Sequence, residues 1–524
     1  MSTPTLLDIA SIAGELLRIA STSQPRPASI GGASVAEEDS EEEAEGRVVW
    51  SRLPEPGLAG QRLSSLIHPL PEPPGRLEAY GLDGSSQRLE AATLFMGVYS
   101  VAVSHISNII VVGSYPDTGV LPCIELGREP VISLGLGYAA TASFSRLVAD
   151  SPLVDPRVFA SLLPGCSGGN GQPPYCRVIA ELDYWNGFNR QTMLDENRVW
   201  LENRALEWLL SWAPSGSLVS VDGPIFSTPG LFVQVARSLV LAGLSPYTAL
   251  KTYYALSYLV NILDRGKLVE EALLRGIRLV GIVKRLERSR FLASALIADR
   301  GWRRRIEEAG FYASRDAQLV EMLVRAYGPR SWPSGYQVPV AIGPILTVLD
   351  LGGVAASIRE LAGLGNGRGN RLDAYQPAIR DGRRLVDVLE LRGLGRVYAQ
   401  KMLVKRSYYL YVPSPLHGRV LLRVEIPVAM QSEYGVTIDG RGSIVFDKWR
   451  LRDMIEDDLR LLAGIVELMG YPDAARVPLP ISLADHIARR VSKHSARVLY
   501  NTLRHAVGFS YETHLSMTEQ GAAG

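Results

Sequence analysis

Apolar and polar positions alternate with two different periods along this chain. The run that ends at Asp83 and the segments Ala91–Ser104 and Asn108–Val112 are apolar and partly β-branched, which predicts three strands in an antiparallel meander. Across Tyr184–Trp212 the apolar residues recur at helical spacing instead. This helix leads into another strand-like run, which ends at Asp222. The mixture of strands and helices predicts an α/β protein.

The second half of the chain continues the mixed pattern. Ile277–Val283 predicts a strand that ends next to Lys284, whereas residues 288–400 have a helical, arginine-rich pattern. A helix is predicted at Leu451–Met469, and the proline-bounded segment Val477–Pro480 precedes another. Strand patterns return at three places, of which the last two are expected to pair antiparallel: Ser407–Val412, Val420–Val428 and Gly435–Phe446.

The pattern divides the chain into four segments. Residues 1–75 combine an amphipathic helix at Thr5–Ala20, an acidic stretch of disordered composition and a proline-rich lead-in. Residues 76–290 and 401–524 contain the strands, and residues 291–400 form a helical, arginine-rich insertion between them. A chain of 524 residues is long enough to bury a large core.

Composition and charge narrow the possible environments. No apolar stretch is long enough for a membrane helix and no secretory signal pattern is present, so we expect a cytoplasmic protein without a membrane partner. Three cysteines without paired spacing argue against a zinc site or a disulfide framework. Removing the seven acids of residues 37–45 from a formal net charge of +1 leaves +8 on the rest of the chain. This basic body permits an anionic partner.

Two of the apolar runs end in the same dipeptide, Asp83-Gly84 and Asp222-Gly223. Glycine allows a sharp turn and aspartate tolerates one, so each pair predicts a carboxylate where a strand leaves the sheet. Two such carboxylates suit a divalent cation, which prefers oxygen ligands. Asp-Gly is also a common hairpin signal, as at Ile438-Asp439-Gly440, so each pair taken singly favours a turn over a ligand.

Two glycine-rich segments offer other ligand chemistry. Gly135–Ala140 fits a dinucleotide fingerprint nominally, but proline-rich and glycine-rich sequence at residues 151–174 interrupts the helix that should follow. Gly363–Arg371 has backbone N–H groups and arginines for phosphates, but it lacks the Gly-Lys-Ser/Thr ending of a P-loop. A nucleotide-cofactor enzyme therefore stays an alternative that rests on Gly135–Ala140 alone.

Four features of the chain, in their order, resemble one family. They are a strand before Asp83-Gly84-Ser85, a glutamate-bearing helix and strand before Asp222-Gly223-Pro224, a strand ending at Lys284, and Pro478-x-Pro480 before a helix with Asp485 and His486. This order is similar to that of NurA, a prokaryotic nuclease that works with the hexameric HerA translocase in DNA-end processing. The resemblance covers roughly residues 76–290 and 400–505. It implies an RNase H-like mixed β-sheet flanked by helices.

The resemblance also implies a metal site. Asp83 and Asp222 fall on the family's two aspartate positions, and Glu202 is the choice for its helical glutamate, with Glu196 as the competitor. Acidic ligands of this kind would hold Mn²⁺ or Mg²⁺ for hydrolysis of a phosphodiester bond. Lys284 would neutralise the scissile phosphate.

At the end of the chain the resemblance is incomplete. The family usually has a tyrosine beside the first proline, where this chain has Val477, and a histidine on the following helix. Asp485 occupies the histidine position, with His486 one residue later, so Asp485 is the fourth expected metal ligand and both are expected catalytic residues.

The resemblance implies a metal-dependent deoxyribonuclease that acts in double-strand-break end resection. We expect an exonuclease with single-strand endonuclease activity, working as a homodimer on a HerA-like ATPase. The alternative is a catalytically weakened regulatory subunit of that complex, which Val477 favours. Four side chains are candidates for DNA contact: Arg88, Trp185, Tyr408 and Tyr409. For the aromatic ones, packing in the core is the alternative interpretation.

Overall fold

The protein is organised around one large β-sheet. The computed structural model describes residues 50–130, 190–226, 264–350 and 402–507, apart from short gaps within these ranges. The strands in this part of the chain are β1 (Trp50–Pro54), β2 (Ile67–Pro69), β3 (Ala79–Ala91), β4 (Leu94–His105), β5 (Asn108–Tyr115), β6 (Glu125–Leu126), β7 (Glu129–Pro130), β8 (Leu218–Asp222), β9 (Arg278–Val283), β10 (Val340–Asp350), β11 (Met402–Ser414), β12 (Gly418–Val428), β13 (Val436–Ile438) and β14 (Ile444–Phe446).

Ten of these strands form the central sheet, in the order β1-β10-β11-β12-β9-β8-β3-β4-β5, with β2 also paired to β10. The pairs β3–β8 and β8–β9 are parallel, and the other ladders of this sheet are antiparallel. The meander predicted for β3, β4 and β5 is present. The prediction of an α/β protein with a mixed sheet is therefore confirmed.

Helices cover both faces of the sheet. Their bounds are α1 (Arg190–Leu210), α2 (Phe291–Ala298), α3 (Arg300–Glu308), α4 (Asp316–Tyr327), α5 (Lys448–Leu468) and α6 (Leu479–Val507). We call the face that packs against α5 and α6 the front face, and the face that packs against α1 to α4 the back face. Side chains alternate between the two faces along each strand, so Tyr408 and Leu410 pack on the front while Tyr409 and Tyr411 pack on the back.

Buried ionic contacts fix helices to each face. On the front, Arg406 donates to both carboxylate oxygens of Asp458 on α5, at 2.6 and 2.8 Å, and Tyr408 Oη donates to the same carboxylate at 2.8 Å. On the back, Tyr409 donates to Asp316 on α4. Each of these acids is almost completely buried, so its hydrogen bonds are required to offset the cost of removing it from water.

The structure corrects one predicted strand pairing and adds three strands that the pattern did not predict. Gly435–Phe446 contains the separate hairpin β13–β14 and does not pair with β12, whose neighbours in the sheet are β11 and β9. The proline-rich lead-in contributes β1 and β2 to the sheet. The arginine-rich segment 291–400 contributes not only α2, α3 and α4 but also β10, whose register shifts between Ile342 and Ile345.

Other predictions fall outside the described residues. These include the N-terminal helix, the acidic stretch 37–45, Trp185 and the glycine-rich segments Gly135–Ala140 and Gly363–Arg371. The four segment boundaries stay predictions. Within the described residues, no helix is both long enough and apolar enough to cross a bilayer.

Candidate metal centre

Two parallel strands bring Asp83 and Asp222 together. The β3–β8 ladder pairs Ala79 with Leu218 and continues to Leu82 with Val221, so the next residue on each strand is an aspartate. Residues at the same level of parallel strands point to the same face, which is here the front. Asp83 is almost completely buried, and Asp222 is partly exposed.

The backbone at these two aspartates differs from the prediction. Asp222 ends β8, and Gly223 follows with φ +94°, which is the predicted turn. Asp83 lies inside β3 instead, because pairing with β4 continues through Asp83 and Gly84. What ends at Asp83 is the pairing with β8, not the strand that carries the aspartate.

Helix α6 brings a third carboxylate to the same place. Its first turn crosses β3 at Gly81, where an added Cβ would lie 2.3 Å from the carbonyl carbon of Pro480, so only glycine permits this approach. Ser104 Oγ donates to Pro480 O at 2.5 Å, and Ser100 Oγ donates to Ala488 O at 2.5 Å. These bonds hold α6 on the front face, with Asp485 between them along the helix.

The three carboxylates form a compact cluster. One oxygen from each of Asp83, Asp222 and Asp485 can be chosen so that all three lie within 4.8 Å of one another. Lys284, directly after β9, places its Nζ 2.7 Å from Asp222 Oδ2 and 3.3 Å from Asp485 Oδ2. Arg489 Nε lies 2.7 Å from Asp485 Oδ1. We call the three aspartates and Lys284 the carboxylate centre.

The surroundings of the centre shift the pKa values of Asp83 and Asp485 in opposite directions. Burial raises the pKa of Asp83 well above its ordinary value, and the charge of Asp222 and the hydrogen bond with Asp485 raise it further. Burial alone would raise the pKa of Asp485, but the hydrogen bond from Asp83 and the charges of Lys284 and Arg489 lower it. Burial alone would lower the pKa of Lys284, but the surrounding aspartates raise it. These opposite shifts favour a proton on Asp83 over one on Asp485.

This donor set fits a divalent cation of the Mg²⁺ or Mn²⁺ type. Carboxylate oxygens are the ligands that these ions prefer. Burial disfavours the ionised form of Asp83, and the positive charge of a bound cation would favour it. Asp83, Asp222 and Asp485 are the residues that would hold it. The structure thus brings together four of the residues predicted from the sequence, including Lys284.

Glu202 lies next to the centre but on the other face. An added Cβ on Gly84 would meet Glu202 Oε1 at 2.6 Å, which places this carboxylate on the back of β3. It lies 3.5 Å from Arg265 Nη2 and 3.8 Å from Arg198 Nη1. Burial raises the pKa of Glu202, Arg198 and Arg265 oppose the shift, and the charge of Asp222 adds to it. Its role as a metal ligand stays a prediction, and the side chain of Glu196 is outside the described residues.

A buried acid that the sequence reading missed holds the turn after Asp222. Glu425 on β12 accepts from the backbone N–H of Ile225 at 3.0 Å and from Lys405 Nζ at 2.8 Å. Arg423 Nε donates to its other oxygen at 3.1 Å. Burial alone would raise the pKa of Glu425, but Lys405 and Arg423 lower it, so the carboxylate stays ionised. An ionised acceptor gives Ile225 a charge-assisted hydrogen bond.

A buried arginine holds the same turn from its other side. Arg265 Nη1 donates to the carbonyl of Ile225 at 3.4 Å, and its Nε donates to Asn203 Oδ1 on α1 at 2.5 Å. Its third nitrogen pairs with Glu202. Both polar backbone atoms of Ile225 are therefore bound by buried charged side chains, which fixes the direction of the chain three residues after Asp222.

The other residues named in the sequence analysis are not members of the carboxylate centre. His486 is exposed, although it neighbours Asp485 on α6. Val477 is buried in the front-face core. Tyr408 and Tyr409 are completely buried, so the core interpretation is right for both and contact with DNA is wrong. Arg88 lies on β3, with its side chain outside the described residues.

Comparison with known proteins gives one family. A family model described as the NurA domain matches residues 79–490, which contain the whole carboxylate centre. The NurA nuclease from Sulfolobus solfataricus is 9% identical, with 86% of this chain and 90% of that chain covered and a TM-score of 0.32. A structure of NurA with manganese is 10% identical (84% and 92% covered, TM-score 0.28), and a further NurA structure is 12% identical (95% and 98% covered, TM-score 0.26). A search of curated protein sequences found no match.

Proposed function

The chain belongs to the NurA family, and we propose that it is a divalent-metal-dependent nuclease that hydrolyses phosphodiester bonds of DNA. The observation that carries this proposal is the cluster of Asp83, Asp222 and Asp485 beside Lys284. A bound Mn²⁺ or Mg²⁺ would polarise the phosphate and lower the pKa of a bound water. Three carboxylates and the ammonium group of Lys284, gathered where β8 and β9 end and α6 crosses β3, supply what such a site requires.

Each residue of the centre has its own part in this proposal. Asp83, Asp222 and Asp485 would hold the cation, whose positive charge would favour the ionised form of all three carboxylates. Lys284 lies against Asp222 and Asp485 without substrate, and its ammonium group neutralises a non-bridging oxygen of the scissile phosphate when DNA is bound. Arg265 and Glu425 keep the turn after Asp222 in place, so the ligand geometry does not depend on a mobile loop.

The finer activity follows from the family resemblance. We infer exonuclease activity with single-strand endonuclease activity, in end resection at double-strand breaks. The partners are DNA ends, a second copy of the chain in a homodimer, and a HerA-like hexameric ATPase in the cytoplasm.

Val477 favours a second candidate function. A NurA-like subunit with weakened catalysis would retain the dimer and the contact with the ATPase and would regulate translocation. Val477 is buried in the core and has no group for proton transfer or metal binding, in contrast to the family's tyrosine. The retained carboxylate centre supports the nuclease over this alternative.

End-labelled DNA separates the two functions. Purified protein is incubated with single-stranded and duplex DNA in Mn²⁺, Mg²⁺ or EDTA, beside Asp83→Ala, Asp222→Ala and the control Asp457→Ala, which changes an exposed acid on α5. We expect metal-dependent cleavage that both centre variants lose and the control keeps. No cleavage with either metal, with and without a HerA-like ATPase, excludes the nuclease. Stimulation of that ATPase without cleavage would support the regulatory subunit.

A further inference from the structure

One side of α6 carries basic residues without acids among them. After Asp485, residues 486–507 include no Asp or Glu. Arg490, Lys493 and Arg497 follow one another at intervals of three and four residues, which places them along one side of the helix. Lys493 and Arg497 are exposed and Arg490 is half-buried. We call these three residues the α6 basic row.

The basic row differs from several other basic residues on helix surfaces. Three exposed arginines elsewhere pair with an acid three or four residues away on their own helix: Arg304 with Glu308, Arg325 with Glu321, and Arg460 with Asp457. In the part of the chain that the structure describes, no acid pairs with the three residues of the basic row. Their positive charges are therefore available to an anionic partner.

Two charges of the row also act on a neighbouring side chain. His494 lies between them on the helix, and burial lowers its pKa, with the charges of Arg497 and Arg490 lowering it further. Like charges this close repel one another, and a polyanion would relieve the repulsion.

The row starts beside the carboxylate centre. Arg489, one position before the row, is bound to Asp485 of the centre. At 1.5 Å of rise per residue, Asp485 and Arg497 are about 18 Å apart along the helix, which is roughly the length of five stacked nucleotides at 3.4 Å each. A nucleic-acid strand with one phosphate at the centre would therefore have its neighbouring phosphates alongside the row.

We propose that the α6 basic row binds the phosphates of a single DNA strand that extends from the bond to be cleaved. The proposal rests on the proposed nuclease function and adds a path for its substrate. A single line of charges along one helix matches one sugar-phosphate backbone. Contacts of this kind are electrostatic and do not depend on base sequence, so the row holds any strand in register with the centre.

Binding without cleavage tests the row. A labelled oligonucleotide without secondary structure is titrated in EDTA over a range of salt concentrations. The test variant is Arg490→Gln/Lys493→Gln/Arg497→Gln, and the matched control is Arg300→Gln/Arg304→Gln/Arg325→Gln, which removes the same number of positive charges from α3 and α4. Loss of three phosphate contacts should reduce the slope of log K against log salt by about 2 and weaken binding roughly tenfold or more at low salt. The control should keep the wild-type slope.

The outcomes distinguish this proposal from the nuclease function. If the test variant unfolds at the wild-type temperature and its slope of log K against log salt is unchanged, the row does not bind phosphates, even when the protein cleaves DNA. A reduced slope supports the row even when the wild-type protein cleaves nothing. A test variant that loses affinity for duplex DNA and keeps its affinity for the single strand overturns the assignment to one strand.

Discussion

The backbone N–H of Ile225 donates to Glu425 Oε2 at 3.0 Å, across 200 residues of sequence. Arg265 binds the carbonyl of the same residue, so two buried charges hold the turn that follows Asp222. Neither side chain belongs to the carboxylate centre. Their effect on catalysis comes through the position of Asp222.

Arg265→Lys should weaken metal binding without unfolding the protein. Lysine keeps a positive charge near Glu202 but lacks the fork that reaches Asn203 and Ile225 together. Because Asp222 is then less well positioned, we expect a loss of about 10- to 100-fold in affinity for Mn²⁺ or in cleavage rate. Cleavage rates are measured over a range of Mn²⁺ concentrations, with DNA affinity measured in EDTA.

Arg204→Lys is the matched control for that variant, since Arg204 pairs with Glu207 and Asp264 away from the turn. It should leave the Mn²⁺ dependence unchanged. If Arg265→Lys showed the Mn²⁺ dependence of the wild type, the hydrogen bond from Arg265 to Ile225 would not be what positions Asp222.

Asp83→Asn should stabilise the metal-free protein and abolish cleavage. The folded-state pKa of Asp83 is raised above 3.8, so the folded protein retains a proton there that the unfolded chain releases. The contribution of this group to stability therefore falls as pH rises from 3.8 through the folded-state pKa, and at neutral pH the buried carboxyl destabilises the fold. Asparagine has no such proton to lose, and we expect a gain on the order of 1 kcal/mol in the free energy of unfolding in EDTA.

Urea unfolding of both proteins, with and without Mn²⁺, checks this prediction. Added Mn²⁺ should stabilise the wild-type protein more than Asp83→Asn, since the variant has lost one ligand. Asp457→Asn, which changes an exposed acid on α5, should behave as the wild type does. Equal stabilisation by Mn²⁺ in all three proteins would show that Asp83 does not contribute to a metal site.

Local patterns in the sequence were sufficient for much of the fold and for part of the site. The run before Asp222 and its Asp-Gly pair predicted both the strand and the turn, because glycine is needed there. The same signal was misleading at Asp83, where β3 continues and only its neighbour β8 ends. A local pattern cannot report where the partner strand stops.

Features that depend on distant partners were not predictable. Glu425 is a charged residue in a strand pattern, and its contacts with Lys405, Arg423 and Ile225 make its burial favourable. Strand β10 was not predicted because its sequence contains Gly343-Pro344, a pair that commonly interrupts a strand. The sheet accommodates it by a shift in register between Ile342 and Ile345.

Gly81→Ala should displace α6 and separate Asp485 from the other carboxylates. The new Cβ would lie 2.3 Å from the carbonyl carbon of Pro480 and 2.5 Å from the backbone nitrogen of Ile481, and backbone atoms cannot move away alone. A displacement of about 1 Å at a ligand can reduce the rate about 100-fold. Cleavage is measured at a temperature where the variant is folded, as checked by circular dichroism.

Gly418→Ala provides the comparison for Gly81→Ala. Gly418 is the first residue of β12, at φ +70° with no atom within 4 Å of an added Cβ, so alanine should cost about 1 kcal/mol through backbone strain alone. Its cleavage rate per folded molecule should equal that of the wild type. Full activity in Gly81→Ala would contradict the role given to the crossing of α6 and β3.

His68 should make stability depend on pH below neutrality. This histidine on β2 is half-buried, with Nε2 2.9 Å from the carbonyl oxygen of Gly343. Burial lowers its pKa below the model-peptide value of 6.5, and the hydrogen bond to Gly343 offsets only part of that shift. The unfolded chain therefore binds a proton at a higher pH than the folded protein. The contribution of His68 is fully present above pH 6.5 and is lost as pH falls through the folded-state pKa.

The slope from this one group is at most about 1.4 kcal/mol per pH unit. His68→Gln keeps an N–H donor for Gly343 and removes the titration, so its free energy of unfolding should fall less steeply than that of the wild type as pH drops below 6.5. Urea unfolding on both sides of that pH measures the difference, with His486→Gln as the control for loss of an exposed histidine. Identical pH profiles for wild type and His68→Gln would mean that burial of His68 costs the folded state nothing, because the imidazole then takes up its proton as readily there as in the unfolded chain.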